Sequence, residues 1–107
     1  MPHVGIDLVF IPQFREKCRE ASFLSRMFSD NELGIAAGNI EKLAGMYAMK
    51  EAYVKASRRA PDWHAIEIEY TGEGAPLIRA DTPLEISVSH DGDYAMAVVV
   101  AADIIGE

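Results

Sequence analysis

LAGMYAMKEAYVKA, residues 43–56, is the segment around which the rest of the chain must be arranged. Read as a helix, it carries apolar residues on nearly every side, and such a helix is usually buried on more than one side. Three charged residues nevertheless lie inside it, namely Lys50, Glu51 and Lys55. Because a bare carboxylate in an apolar layer costs free energy, Glu51 needs a partner.

Two interpretations of Glu51 are open. In the first, Glu51 and Lys55 form an ion pair one helical turn apart, which contributes only a few tenths of a kcal/mol on a wet surface. In the second, both side chains face a polar ligand, and a metal ion or a phosphate group supplies the partner that Glu51 lacks. Residues four apart share a helix face in both cases, so both interpretations stand at this point.

Composition and charge narrow the class of protein. The 107 residues are expected to form one domain, residues 1–107, and the net charge of −7 argues against a general nucleic-acid binder. Cys18 is the single cysteine, so an internal disulfide and a multi-cysteine metal site are excluded. No apolar stretch is long enough to cross a bilayer, and the apolar start does not resemble a signal peptide. We therefore expect a cytoplasmic protein without membrane association.

The N-terminal strand carries a charge where strands rarely do. Residues 4–11, VGIDLVFI, are mostly β-branched or apolar and end at Pro12, which predicts a strand followed by the first turn of a helix. Aspartate is disfavoured in strand interiors, and an exposed edge position would explain Asp7. Its neighbours Ile6 and Leu8 indicate a mostly buried strand instead, so we expect the Asp7 carboxylate to point into a polar pocket.

Short helices are predicted between this strand and the central helix. Residues 13–21 form a polar helix with most of the basic side chains of this part of the chain. The basic residues are Arg15, Lys17 and Arg19, with Arg26 beyond them. This run is either a solvated face or a docking surface for an acidic partner. Ser29 and Glu32 have capping-box spacing for a further helix, and Asn39 can cap the central helix.

After the central helix, the sequence predicts antiparallel strands. Residues 65–71 and 84–89 alternate apolar and polar residues, which is typical of strands with one solvated face. Asp91-Gly92 is a strong hairpin signal, and residues 94–101 return as a mostly buried strand. A strand, then helices, then antiparallel strands indicate an α+β fold.

Asp7, the pair Glu51 and Lys55, and His90 at the hairpin turn are the candidates for chemistry. Two carboxylates without a cysteine cluster suit a hard cation such as magnesium, whose shell is completed by phosphate oxygens and water. Lys55 can hold a phosphate group as a point charge. His90 taken alone is an ordinary turn residue.

Together these residues lie in motifs that resemble the 4′-phosphopantetheinyl transferases, and the small, single-domain holo-acyl-carrier-protein synthase type matches best. The matching segments are GIDLV at residues 5–9, MKEAYVKA at residues 49–56, and SVSH at residues 87–90 followed by Tyr94-Ala95. They cover nearly the whole chain in the right order. The resemblance implies the fold of this family, with an antiparallel sheet packed on a long central helix.

The resemblance also implies an activity. Enzymes of this type transfer the 4′-phosphopantetheine group of coenzyme A to a serine of an apo acyl carrier protein and release adenosine 3′,5′-bisphosphate. Asp7 and Glu51 match the carboxylates that bind Mg²⁺, and Glu51 would help to deprotonate the serine. Lys55 matches the lysine that contacts the phosphates, and Ser89 and His90 match the coenzyme A pocket. The small members form trimers with shared sites, which a helix apolar on both sides would fit.

Some positions depart from the family pattern. Phe10 replaces a glutamate, SRRAP at residues 57–61 replaces a Gly-Thr-Gly loop, and Ala75 replaces the lysine of Gly-Lys-Pro. These losses favour an alternative, a non-catalytic relative that binds coenzyme A or a carrier protein. The retained carboxylates and Lys55 argue against it, because a dead site has no physical reason to keep buried charges. An unrelated α+β binding domain with purely structural charges is a third possibility.

Overall fold

Helices and strands are segregated along the chain in the computed structural model, which describes residues 2–80 and 83–102. The strands are β1 (His3–Phe10), β2 (Ile68–Tyr70), β3 (Pro76–Ile78), β4 (Leu84–Asp91) and β5 (Tyr94–Ala101). The helices are α1 (Ile11–Lys17), α2 (Ala21–Met27), α3 (Asp30–Ala36) and α4 (Ile40–Ser57), and a 3₁₀ turn spans Trp63–Ala65. This order confirms the predicted α+β class.

The main sheet is antiparallel with the strand order β1-β5-β4, and β2 pairs with β3 in a separate hairpin. Its register pairs Asp7 with Ala97, and Ala97 in turn with Val88. Directly paired residues of a sheet point to the same face, and successive residues of a strand alternate between faces. The odd-numbered residues of β5 are buried beneath α4, so Asp7, Val88 and His90 belong to the helix-facing side of the sheet.

α4 lies against β1 and β5 through a seam of small residues. Four alanines spaced one turn apart on α4 are fully buried: Ala44, Ala48, Ala52 and Ala56. A Cβ atom on Gly5 of β1 would collide with the carbonyl oxygen of Ala52 and lie 2.7 Å from the backbone nitrogen of Ala56. Glycine therefore allows β1 to run this close to the helix, which places Asp7 beside α4.

Several predicted helix ends are confirmed, and one helix was predicted wrongly. The Asn39 side chain accepts from the Lys42 backbone at 3.1 Å, and Ser29 and Glu32 form the expected capping box. The predicted helix over residues 13–21 ends at Lys17, and a new helix begins at Ala21. This break turns the apolar residues of α2 toward the core, which the polar pattern before them did not indicate.

The prediction that β1 is mostly buried was wrong for one of its faces. Ile6 and Leu8 are 54% and 61% exposed, whereas Gly5 and Val9 are buried against α4. The large exposed apolar residues of β1 and β5 form the outer sheet face: Val4, Ile6, Leu8, Phe10, Tyr94, Met96 and Val100. No helix in the described part of the chain combines the length and apolar character that a membrane crossing requires.

Candidate active site

Lys55 joins α4 to β1. Its Nζ atom donates to Asp7 Oδ1 at 3.1 Å and to the Ile6 carbonyl oxygen at 3.0 Å. The Asp7 side chain is 13% exposed, but the Lys55 side chain is 53% exposed, so the ammonium group remains accessible. Lys55 is therefore paired with Asp7, and the alternative of a Glu51–Lys55 ion pair is not realised.

Glu51 and Asp7 line one cleft of about 190 Å³, which we call the carboxylate cleft; Gln13, Lys17 and Tyr47 also line it. Within residues 2–80 and 83–102, the Glu51 carboxylate forms no ion pair and accepts no hydrogen bond. Burial raises the pKa of Glu51, and the negative charge of Asp7 raises it further, while Lys55 and Lys17 oppose the shift. The cleft thus holds two carboxylates that repel each other.

This donor set fits a divalent cation. Mg²⁺ is usually held by one or two carboxylates, and water and substrate phosphates complete its shell. Among the described residues there is no group of three or more His, Cys, Asp or Glu side chains that could hold a metal. A metal ion bound by Asp7 and Glu51 would therefore depend on oxygen atoms from a substrate or from water, and it would relieve their mutual repulsion.

His90 lies in a different cleft, the His90 cleft, which has a volume of about 280 Å³. Its Nε2 atom donates to the carbonyl oxygen of Glu41 at 2.9 Å. The two clefts share no lining residue, because Asp7 lies on β1 and His90 on β4, at opposite edges of the β1-β5-β4 sheet with α4 between them. The structure thus brings Asp7, Glu51 and Lys55 together but leaves His90 apart.

Ser89 lies on the opposite side of β4 from His90. It is exposed and is paired with Met96 of the outer sheet face. Because successive residues of a strand point to opposite faces, Ser89 does not line the His90 cleft. Its contact with coenzyme A stays a prediction.

Sequence reasoning missed the most deeply buried charges. Lys50 Nζ donates to Glu32 Oε1 at 2.7 Å, to the Met27 carbonyl oxygen at 2.7 Å and to the Trp63 carbonyl oxygen at 3.0 Å. Glu32 also accepts from the backbone of Ile68 at 2.8 Å. Burial lowers the pKa of Lys50, although the Glu32 carboxylate opposes this shift. The only signal was a lysine within an apolar helix, and nothing in the sequence identified its partner.

A third cleft, the basic groove, adjoins the carboxylate cleft. It has a volume of about 400 Å³ and is lined by Lys17, Phe23, Arg26 and Tyr47, among others. Lys17 and Tyr47 line both clefts, so two members of the predicted basic segment, Lys17 and Arg26, lie in or beside the carboxylate cleft. The Lys17 ammonium lies 5.9 Å from the centre of the Tyr47 ring.

Residues 3–99 match a family model described as the 4′-phosphopantetheinyl transferase superfamily. The holo-[acyl-carrier-protein] synthase of Thermodesulfovibrio yellowstonii is 32% identical, over 91% of this chain and 95% of that protein. The synthase of Micrococcus luteus is 33% identical, over 92% and 89%.

Solved structures of holo-[acyl-carrier-protein] synthases are similar to this chain as well. The Helicobacter pylori holo-[acyl-carrier-protein] synthase in complex with coenzyme A superimposes with a TM-score of 0.86 at 31% identity, covering 92% of this chain and 99% of that one. A Chronobacterium ammoniagenes ACPS–CoA complex gives 0.85 at 31% identity, covering 94% and 96%. The chain is therefore similar to these proteins over nearly its whole length, in sequence as well as in fold.

Proposed function

The chain belongs to the 4′-phosphopantetheinyl transferase superfamily, and from this premise we propose that it is a holo-acyl-carrier-protein synthase. It transfers the 4′-phosphopantetheine group of coenzyme A to a serine of an apo acyl carrier protein and releases adenosine 3′,5′-bisphosphate. The observation that best supports the proposal is that Asp7 contacts Lys55 and lines one cleft with Glu51. The chain that holds these residues is similar to such a synthase over 91% of its length.

The chemistry asked of these residues is mainly positioning and neutralisation of charge at the diphosphate. The accessible Lys55 ammonium, oriented by Asp7, binds phosphate oxygens. Glu51, directly or through a water molecule, helps to deprotonate the acceptor serine. The serine Oγ–phosphorus bond forms as the phosphorus–oxygen bond to adenosine 3′,5′-bisphosphate breaks. Mg²⁺ held by Asp7 and Glu51 would neutralise negative charge on the diphosphate.

The proposed assembly is a homotrimer with shared sites. The apolar sides of α4 are covered by strands of its own chain, so the helix gives no support for an interface. Support comes instead from the outer sheet face, because large contiguous apolar patches on a protein surface usually mark interaction sites. Separation of the His90 cleft from the carboxylate cleft also favours a site completed by a neighbour. A cytoplasmic location stays a prediction.

The carrier protein is proposed to dock on the basic segment formed by Arg15, Lys17, Arg19 and Arg26. Carrier proteins modified by this family are acidic, and the chain itself has a net charge of −7. Because the two proteins repel each other, binding of the carrier needs a local positive patch on this chain. The basic groove adjoins the carboxylate cleft, so a carrier bound there would present its serine near Glu51.

Mass spectrometry of apo carrier proteins incubated with coenzyme A, Mg²⁺ and this protein tests the proposal. We expect a mass gain equal to one phosphopantetheine group, lost when Mg²⁺ is chelated. Omission of coenzyme A provides the control. Binding of coenzyme A without modification of any carrier, whether of the fatty acid or the polyketide type, would favour the non-catalytic relative instead.

A further inference from the structure

Tyr47 lies where the carboxylate cleft meets the basic groove, and neither the motifs nor the proposed mechanism assigns a role to it. It is half-buried on α4, one helical turn before Glu51, and it lines both clefts. Asp7 and Glu51 line the first cleft, and Phe23 and Arg26 line the second. A serine that reaches Glu51 from a carrier bound in the basic groove therefore passes the Tyr47 side chain.

Aromatic packing fixes the position of the Tyr47 ring. Its centre lies 5.2 Å from that of the Phe14 ring and 5.9 Å from that of the Phe23 ring, distances typical of favourable aromatic pairs. The Lys17 ammonium lies over the same ring at 5.9 Å from its centre. Because three side chains hold the ring, the phenolic oxygen has a defined position without a hydrogen bond of its own.

The fold makes no use of the Tyr47 hydroxyl group. Among residues 2–80 and 83–102 this hydroxyl forms no hydrogen bond. Burial raises the pKa of Tyr47, the negative charges of Glu51 and Asp7 raise it further, and Arg26 opposes the shift. The phenol therefore keeps its proton at neutral pH, and it can donate one hydrogen bond close to the two carboxylates.

We propose that the Tyr47 hydroxyl donates a hydrogen bond to the oxygen of the acceptor serine. This inference rests on the proposed function. As the serine proton moves to Glu51, directly or through water, negative charge develops on the serine oxygen. That oxygen forms its bond to phosphorus while the bond from phosphorus to adenosine 3′,5′-bisphosphate breaks. A donor already fixed beside the serine oxygen stabilises the developing charge, whereas Lys55 serves the diphosphate.

Tyr47→Phe tests the assignment, because it removes the hydroxyl and keeps the ring that packs against Phe14. In single-turnover transfer, followed by mass spectrometry of the carrier, we expect the rate to fall about 10–100-fold. The KM values for the carrier and for coenzyme A should change less than about twofold, since the charge develops only in the transition state. Tyr53→Phe makes the same change at a half-buried tyrosine of α4 that lines neither cleft, and it should leave the rate unchanged.

Lys17→Met provides a second comparison, because an ammonium group at the same boundary is the competing source of charge stabilisation. We expect this variant to raise the KM for the carrier and to leave the single-turnover rate within about threefold of the wild-type rate. A large fall in the rate of Lys17→Met with none in Tyr47→Phe would assign the role to Lys17 and overturn the proposal.

An unchanged rate in Tyr47→Phe would overturn the role of the hydroxyl while leaving the proposed function in place. An equal fall in Tyr53→Phe, or failure of Tyr47→Phe to fold as judged by circular dichroism, would make the effect structural and would also overturn the role. Wild-type protein that modifies no carrier overturns the proposed function together with it.

Discussion

Lys50 and Lys55 both lie on α4 and each is paired with a carboxylate, yet the surroundings of the two pairs differ. The side chains of Lys50 and Glu32 are fully buried, and the Lys50 ammonium donates to three oxygen atoms. The Lys55 side chain is half-exposed, and its partner Asp7 lies near Glu51, which has no ion-pair partner among the described residues. A buried charge whose hydrogen bonds are complete has nothing to offer a ligand, so the first pair serves the fold and the second can serve chemistry.

The largest expected effect on stability comes from breaking the buried pair. Lys50→Met leaves Glu32 charged and enclosed, which should lower the free energy of unfolding by about 3–5 kcal/mol. Lys55→Met, the matched variant of the exposed pair, should cost no more than about 1 kcal/mol. Urea denaturation at a fixed protein concentration measures both. Equal losses in the two variants would contradict the distinction between the pairs.

The largest expected effect on activity comes from the carboxylate cleft. Glu51→Gln removes the proposed base, so transfer should fall by about 10²–10⁴-fold. It also removes a charge that opposes folding, so the protein should remain folded. Asp7→Ala should also abolish transfer. Both are followed by mass spectrometry of the carrier, with circular dichroism as the control for folding. Full activity of Glu51→Gln with unchanged Mg²⁺ dependence would rule out the assignment.

A charge introduced on the outer sheet face should disrupt both assembly and activity. Leu8→Asp places a charge in the proposed interface, and losing the burial of one leucine should weaken association by roughly 10–100-fold. Sedimentation velocity at micromolar concentration should show a shift from trimer to monomer, with loss of transfer. Ile35→Asp changes an exposed apolar residue away from this face and should leave the trimer intact. Wild-type protein that is monomeric under these conditions would refute the shared site.

The basic segment should have a smaller effect, confined to the carrier. Exposed charge pairs contribute about 0.2–1 kcal/mol each, so no single substitution should abolish docking. Arg15→Glu combined with Arg19→Glu should raise the KM for the carrier, leave that for coenzyme A nearly unchanged and reduce the salt dependence of kcat/KM. Arg79→Glu, a single charge reversal directly after β3 at a residue paired with Glu69, provides a comparison outside the basic segment. Unchanged carrier kinetics would leave this helix as a solvated face.

The smallest effect concerns the contribution of Glu51 to stability. Burial and Asp7 raise the pKa of Glu51, so the folded protein holds this proton more tightly than the unfolded chain does. The ionised carboxylate therefore opposes folding as the pH rises through its folded-state pKa, and the penalty vanishes below the ordinary carboxyl pKa. Glu51→Gln should stabilise the protein at pH 8 by up to about 1 kcal/mol, because solvent screens a half-buried group, and hardly at all at pH 4. Thermal unfolding at both pH values measures this, and a loss of stability at pH 8 would contradict it.

Features that depend on neighbouring residues were predicted well. The capping box of Ser29 and Glu32, the cap at Asn39 and the hairpin at Asp91-Gly92 each depend on a few adjacent residues, whose spacing decides the backbone conformation. The segments GIDLV, MKEAYVKA and SVSH indicated the family, which the comparisons establish. The prediction that β1 is mostly buried was wrong for one face, because an apolar residue such as Leu8 can face either a core or a partner. The sequence pattern does not distinguish the two.

The amino-acid sequence was sufficient to identify the α+β fold class and the family, because both depend on local propensity or on motifs, and it proposed the residues for the chemistry. Packing determined that Lys55 pairs with Asp7 rather than Glu51, that Lys50 pairs with Glu32, and that His90 lies apart from both. These contacts join residues that are far apart along the chain. Their distances depend on how closely α4 approaches the sheet, and that approach is settled only when the whole core is packed.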